Sequence, residues 1–96
     1  MENNIIELKF DQTIAGLAGN DYGYEEYKKQ IKDIFDYNKN NIIIFPDQIK
    51  KVAISFVQGM FRDILEKIDK NEIEKYVTIK SSSEQLTNKI VSNIKF

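Results

Sequence analysis

Hydrophobic positions along this chain switch between a period of two and a period near 3.6, and each switch marks an element. Residues 5–10 alternate, with Ile6, Leu8 and Phe10 on one side and Ile5, Glu7 and Lys9 on the other, as in a half-buried strand near a sheet edge. Asp11-Gln12 has the composition of a turn. Thr13, Ile14 and Ala15 could form a short returning strand, but Gly16, Gly19 and Gly23 favour a loop over residues 16–23. In residues 24–36, Tyr24, Tyr27, Ile31, Ile34 and Phe35 recur at helical spacing, and Glu25 with Lys29 forms an i,i+4 ion pair.

The strongest signals lie in residues 41–70. Ile42, Ile43, Ile44 and Phe45 form a continuous apolar run stopped by Pro46, which predicts a central strand covered on both faces. After a crossover anchored by Ile49 and Val52, the residues Val57, Met60, Phe61, Ile64, Leu65 and Ile68 align on one helical face. Ser55 followed by Gln58 predicts a capping box at the start of that helix. Residues 71–75 are a polar connection, and residues 76–80 are dense in strand formers. Ser81, Ser82 and Ser83 offer caps to a closing helix whose apolar line is Leu86, Ile90 and Ile94, flanked by Val91. The order β(β)αβαβα predicts one α/β domain over residues 1–96, a mixed sheet with three helices joined by right-handed crossovers.

Composition narrows the chemistry. The 96 residues contain no Cys and no His, which removes thiolate nucleophiles, imidazole bases and the commonest zinc ligands. No enzyme, metal or cofactor is therefore expected; Asp21, Glu25 and Asp47 are the carboxylates available to an enzyme, and none has a partner at a meaningful spacing. A net charge of −1 supplies no field to gather nucleic acid or an anionic membrane. No apolar run approaches the roughly 20 residues that span a bilayer, and the N-terminus lacks a signal-peptide pattern, so a cytoplasmic protein is expected.

Three features invite a binding role. The glycine loop precedes a helix, where free N–H groups attract anions, but its G-x-x-G-x-x-x-G spacing matches neither a P-loop nor a dinucleotide fingerprint, which favours a structural turn. Lys28, Lys29 and Lys32 beside Tyr22, Tyr24 and Tyr27 resemble a single-strand-binding composition, yet Glu25, Glu26 and Asp33 interrupt it, which favours a solvated helix face. With Val57, Met60 and Phe61 facing the core, Phe56, Gly59 and Arg62 turn to the opposite side, a composition common in contact surfaces. A first-turn position favours packing beneath the crossover for Phe56, with the contact surface as the other reading. Gly59 within a helix costs about 0.5–1 kcal/mol relative to Ala, so something approaches closely there, either the first helix or another chain.

The stretch IIIFPDQIKKVAISFVQGMF resembles the strand, crossover and helix start of STAS-type domains, named for sulfate transporters and anti-sigma-factor antagonists, and most of all a STAS-like family of unknown function with an S-S-F-x-x-x-hydrophobic signature. GYEEYKKQI and VTIKSSSEQLTNKI are similar to that family's first helix and to its last strand with closing helix. The resemblance implies a non-catalytic regulatory module that binds a protein, such as a histidine-kinase-like ATPase, with Ser55 at the position phosphorylated in antagonists. Here Ala53-Ile54-Ser55-Phe56 replaces Asp-Ser-Ser-Gly, and Phe45 replaces an acidic residue, which favours a plain helix cap over a phosphorylation site for Ser55. The partner-binding candidates are Phe56, Gln58, Gly59, Arg62, Tyr22 and Tyr24, with a second copy of the chain among the partners considered. Rival functions are a phage or mobile-element inhibitor of a host defence or regulatory protein, suggested by the Asn-, Lys- and Ile-rich composition, and a small nucleotide- or RNA-binding protein.

Overall fold

The alternation at the N-terminus builds strand β1 (Asn3–Glu7) in the computed structural model, which describes residues 2–96. The chain continues through β2 (Gly16–Leu17), α1 (Asn20–Gln30), β3 (Asn40–Ile44), β4 (Lys51–Val52), α2 (Ile54–Met60), α3 (Arg62–Lys67), a 3₁₀ turn (Ile73–Lys75), β5 (Val77–Lys80) and α4 (Glu84–Lys95). The α/β class follows the predicted order. The expected central helix is recorded as two, because Phe61 opens to ψ 6° between them. Its hydrogen bonds barely notice: Phe61 N–H donates to the Val57 carbonyl, and the Phe61 carbonyl accepts from Leu65 N–H.

Strands β1, β3 and β5 form one sheet in that order, while β2 and β4 form a separate two-stranded ribbon. Every pairing is parallel, where a mixed sheet was expected. Order 1-3-5 has a further consequence. Both crossovers step in the same direction across the sheet, and right-handed connections then lay their helices on the same face. Burial follows: Ile6, Ile43 and Ile79, paired across the strands, are in the core, whereas Ile5, Ile42 and Thr78 in the neighbouring row are on the other side. Ile42 and Ile44 are only half-buried, so the expectation of a central strand covered on both faces fails for one of its faces. A continuous apolar run cannot distinguish a doubly wound sheet from one wound in a single direction.

The helix layer is set by two glycines. A Cβ on Gly59 would overlap the Asn20 carbonyl oxygen of α1, and one on Gly23 would overlap the Phe56 carbonyl oxygen of α2. The close approach inferred at Gly59 is thus the first helix. Gly23, expected in a loop, lies inside α1 because its bare Cα is needed at this crossing. At the other end of the layer, Ser83 caps α4 by accepting from Leu86 N–H at 3.1 Å, and Leu86, Ile90 and Ile94 turn inward as predicted.

One polar residue is buried among the strands. Asn41 has no exposed surface, and its Oδ1 accepts from the Asn4 side chain and the Asp36 N–H, both at 2.8 Å. Its Nδ2 donates to the carbonyls of Asp36, Lys39 and Tyr76. The side chain therefore joins β1, the 36–39 turn and the entry to β5. Replacing it by a leucine of similar size leaves several buried groups unpaired, each worth roughly 1–3 kcal/mol. Asn41→Leu is expected to lower the urea-derived unfolding free energy by about 2–4 kcal/mol; a loss below about 0.5 kcal/mol would contradict this role.

Candidate functional site

Ser55 does not form the predicted capping box. Helix α2 begins at Ile54 with Ala53 as its cap residue, and no side chain caps it. The Ser55 hydroxyl instead accepts from the Gly19 N–H at 2.9 Å. Gly19, at φ 105°, is the described residue with positive φ and stands immediately before α1. A hydroxyl one residue inside α2 is therefore the latch of the glycine loop. The predicted register was displaced because the helix starts earlier than the Ser-x-x-Gln pattern implied.

Two turns further on, Arg62 is exposed at the start of α3. Its guanidinium lies over the Tyr24 ring, 4.4 Å from the centroid, and donates to the Asn20 side chain. The Tyr24 hydroxyl donates to Asp63 at 3.0 Å, and Lys28 stands over the same ring at 5.0 Å. The Tyr24 ring stacks in turn on Tyr27, 6.0 Å between centroids. Further along α3, Lys67 lies 5.2 Å from the Tyr37 ring. The outer side of the α1–α3 contact is thus a surface of aromatic rings overlaid by cations. Ser55, Gln58 and Arg62, at i, i+3 and i+7, run along it as one line of the nearly continuous α2–α3 helix.

The predicted partner-binding residues divide sharply. Gln58 and Arg62 are exposed, and Ser55, Tyr22 and Tyr24 are half-buried. Phe56 and Gly59 are corrections: Phe56 is 0% exposed, and Gly59 is covered by Asn20. Phe56 turns inward between Tyr22, edge-on at 5.2 Å, and Phe10, edge-on at 6.4 Å. The helix buries a wider arc than its Val57-Met60-Phe61 stripe, because α1 lies against the side that was assigned to solvent. Asn20 and Asp63 have no counterpart among the sequence-predicted residues, and Lys28, read there as part of a basic patch beside the tyrosines, belongs to this cluster. The Tyr24–Lys28 spacing of i,i+4 was legible, whereas the contacts of Tyr24 with Asp63 and of Arg62 with Asn20 span about forty residues of sequence and left no local signal.

Lys28 and Lys29 face Glu25 and Glu26 at 2.9 and 3.9 Å, so Glu25 pairs with Lys28 rather than with the expected Lys29. The hydrogen bond with Glu25 raises the Lys28 pKa, and the same contact lowers that of Glu25. A different set of cations borders the glycine loop. A cleft of about 530 Å³ is lined by Gly16, Leu17, Val52 and Leu86, with Lys50, Lys51 and Lys89 at its rim and no carboxylate in the lining. Its chemistry suits an anionic group above an apolar body. Among the described residues, no group of three or more acidic side chains could hold a metal ion, and no helix is long and apolar enough to cross a membrane.

The tyrosines beneath the cation layer are poor acids. Burial, reinforced by Tyr37 and Asp63, pushes Tyr27 up to about 12, and the hydrogen bond to Asp63 raises Tyr24. Burial also raises Tyr37 and Tyr22. A phenol whose folded pKa exceeds its unfolded value near 10 contributes stability that is intact below pH 10 and lost as pH rises towards 12. Ultraviolet titration of the phenolates should therefore show a final step near pH 12 that Tyr27→Phe removes, with stability falling between pH 10 and 12. Complete ionisation near pH 10 while the chain stays folded would contradict the packing described.

No family model, curated protein or solved structure matches this chain.

Proposed function

We propose that the chain is a non-catalytic regulatory module that works by binding another protein through the outer side of the α1–α3 contact. The observation that supports this most is the Arg62 guanidinium held at 4.4 Å over Tyr24 while it also reaches Asn20. Arg and Tyr are the side chains that most often dominate protein–protein contacts, and an arginine already fixed on a ring loses less conformational freedom on binding. The resemblance of IIIFPDQIKKVAISFVQGMF to STAS-type antagonist domains supports the same class of role. Ser55 supplies the switch in this reading. A phosphoryl group on its hydroxyl would replace the bond to Gly19 with about two negative charges on the line that leads through Gln58 to Arg62.

Affinity capture from the native cell, using the tagged full chain, tests the reading when the same partner is followed through variants. Arg62→Ala and Tyr24→Ala are each expected to reduce its recovery about tenfold or more, and Ser55→Glu to reduce it as well. Lys75→Ala, a change at the 3₁₀ turn, should leave recovery unchanged. Melting curves report whether each variant is still folded. Equal recovery by folded Arg62→Ala, Tyr24→Ala and wild type would refute the proposed surface.

A further inference from the structure

The face of the sheet opposite the helices is apolar at its centre and charged at its edges. Ile5 is 58% exposed, and Ile42 and Ile44 stand beside it on the central strand. Parallel sheets are almost always covered on both faces, so a bare one displaying three isoleucines is out of keeping with its own chemistry. The register orders the face into rows: Ile5, Ile42 and Thr78 in one, and Glu7, Ile44 and Lys80 in the next. Glu7 and Lys80 lie on the two edge strands, two strand spacings or roughly 10 Å apart, with Ile44 between them. Neither takes part in a salt bridge among the described residues.

We infer that this face is covered by a second copy of the chain, in a two-fold dimer that packs sheet against sheet with Glu7 of each copy opposite Lys80 of the other. A two-fold axis parallel to β3 keeps every row at its own level and exchanges the two edges. Strand β1 then lies over β5 of the second copy, Ile42 and Ile44 meet their own equivalents, and both Glu7–Lys80 pairs form at once. The strands of the two sheets run in the same direction, as the aligned class of sheet packing allows, at about −30° after twist. An axis perpendicular to the strands would set the charged row against the Asn3–Asn40 end and leave Glu7 and Lys80 unmatched. A partner of a single charge sign would satisfy one edge and repel the other. Self-association satisfies both, as an isologous interface requires.

Three strands of four or five residues offer a face of roughly 14 by 17 Å, well below the roughly 800 Å² per partner of a stable complex, so the dimer is weak. Sedimentation equilibrium of the full chain from about 10 μM to about 1 mM should show the mass rising from 11.2 kDa towards twice that value, with a dissociation constant on the order of 10⁻⁴ M. Ile5→Lys, at an exposed position, should hold the chain at the monomer mass throughout while leaving its melting curve unchanged. Glu7→Lys and Lys80→Glu should each weaken association about tenfold at low salt. The double variant, and an equimolar mixture of the two single variants, should recover it, because each restores opposite charges across the interface. That recovery separates the pairing from a general effect of charge on solubility. A chain that stays at 11.2 kDa at about 1 mM, a dimer indifferent to Ile5→Lys, or charge swaps without recovery would each overturn the inference.

Discussion

Backbone contact between α1 and α2 is the constraint from which the remaining arrangement follows. Gly23 and Gly59 each face a carbonyl oxygen of the opposite helix, Phe56 and Asn20 respectively, at a separation that leaves no room for a Cβ. Two helices this close cannot be held apart by side chains, so the neighbouring positions fall into register around them. Phe56 slides under Tyr22, Ser55 comes within reach of the Gly19 N–H, and Arg62 arrives over Tyr24. The surface proposed for binding is thus a product of packing on the other side of the same crossing. A helix glycine that costs about 0.5–1 kcal/mol in isolation is retained where it permits this approach.

The second organising fact is topological. A sheet that grows in one direction with right-handed crossovers gathers its helices on one face. That geometry gives the domain two surfaces of different character. One is the helix layer, with cations over aromatic rings; the other is a small, symmetric-looking sheet face whose charges sit at opposite edges. The helices cover one face of the sheet and the isoleucine face is the other, so the two proposed contacts draw on different surfaces. Asn41, wholly buried and fully bonded, fixes the end of the sheet where three connections converge, leaving the opposite end to the glycine loop and the lysine-rimmed cleft.

Much of this was legible in local pattern. The stripe from Val57 to Ile68 and the line Leu86-Ile90-Ile94 each mark a helical segment and its buried side, because periodicity records which side of an element meets the core, whereas the unbroken apolar run ending at Pro46 marks a strand without saying which of its faces is covered. What the pattern could not record was how elements meet. The Val57-Met60-Phe61 stripe leaves Phe56 open between a contact surface and packing beneath the crossover, because a helix stripe says nothing of a second helix lying across its flank. Ser55 was assigned to its own helix although its partner is the Gly19 N–H, thirty-six residues earlier. Gly59 was the informative exception. A glycine where helix propensity disfavours one revealed a close approach, although only the structure identified Asn20 as its neighbour.

A double-mutant cycle on Gly23→Ala and Gly59→Ala, read by urea unfolding, bears most directly on the account. Each single substitution is predicted to cost about 1–3 kcal/mol, since overpacking outweighs the helix propensity gained. Moving the helices apart relieves both overlaps, so the double variant should lose at least about 1 kcal/mol less than the sum of the singles. Additive losses, or a gain of the size expected for alanine in an exposed helix, would contradict the claim that one shared contact sets the helix layer.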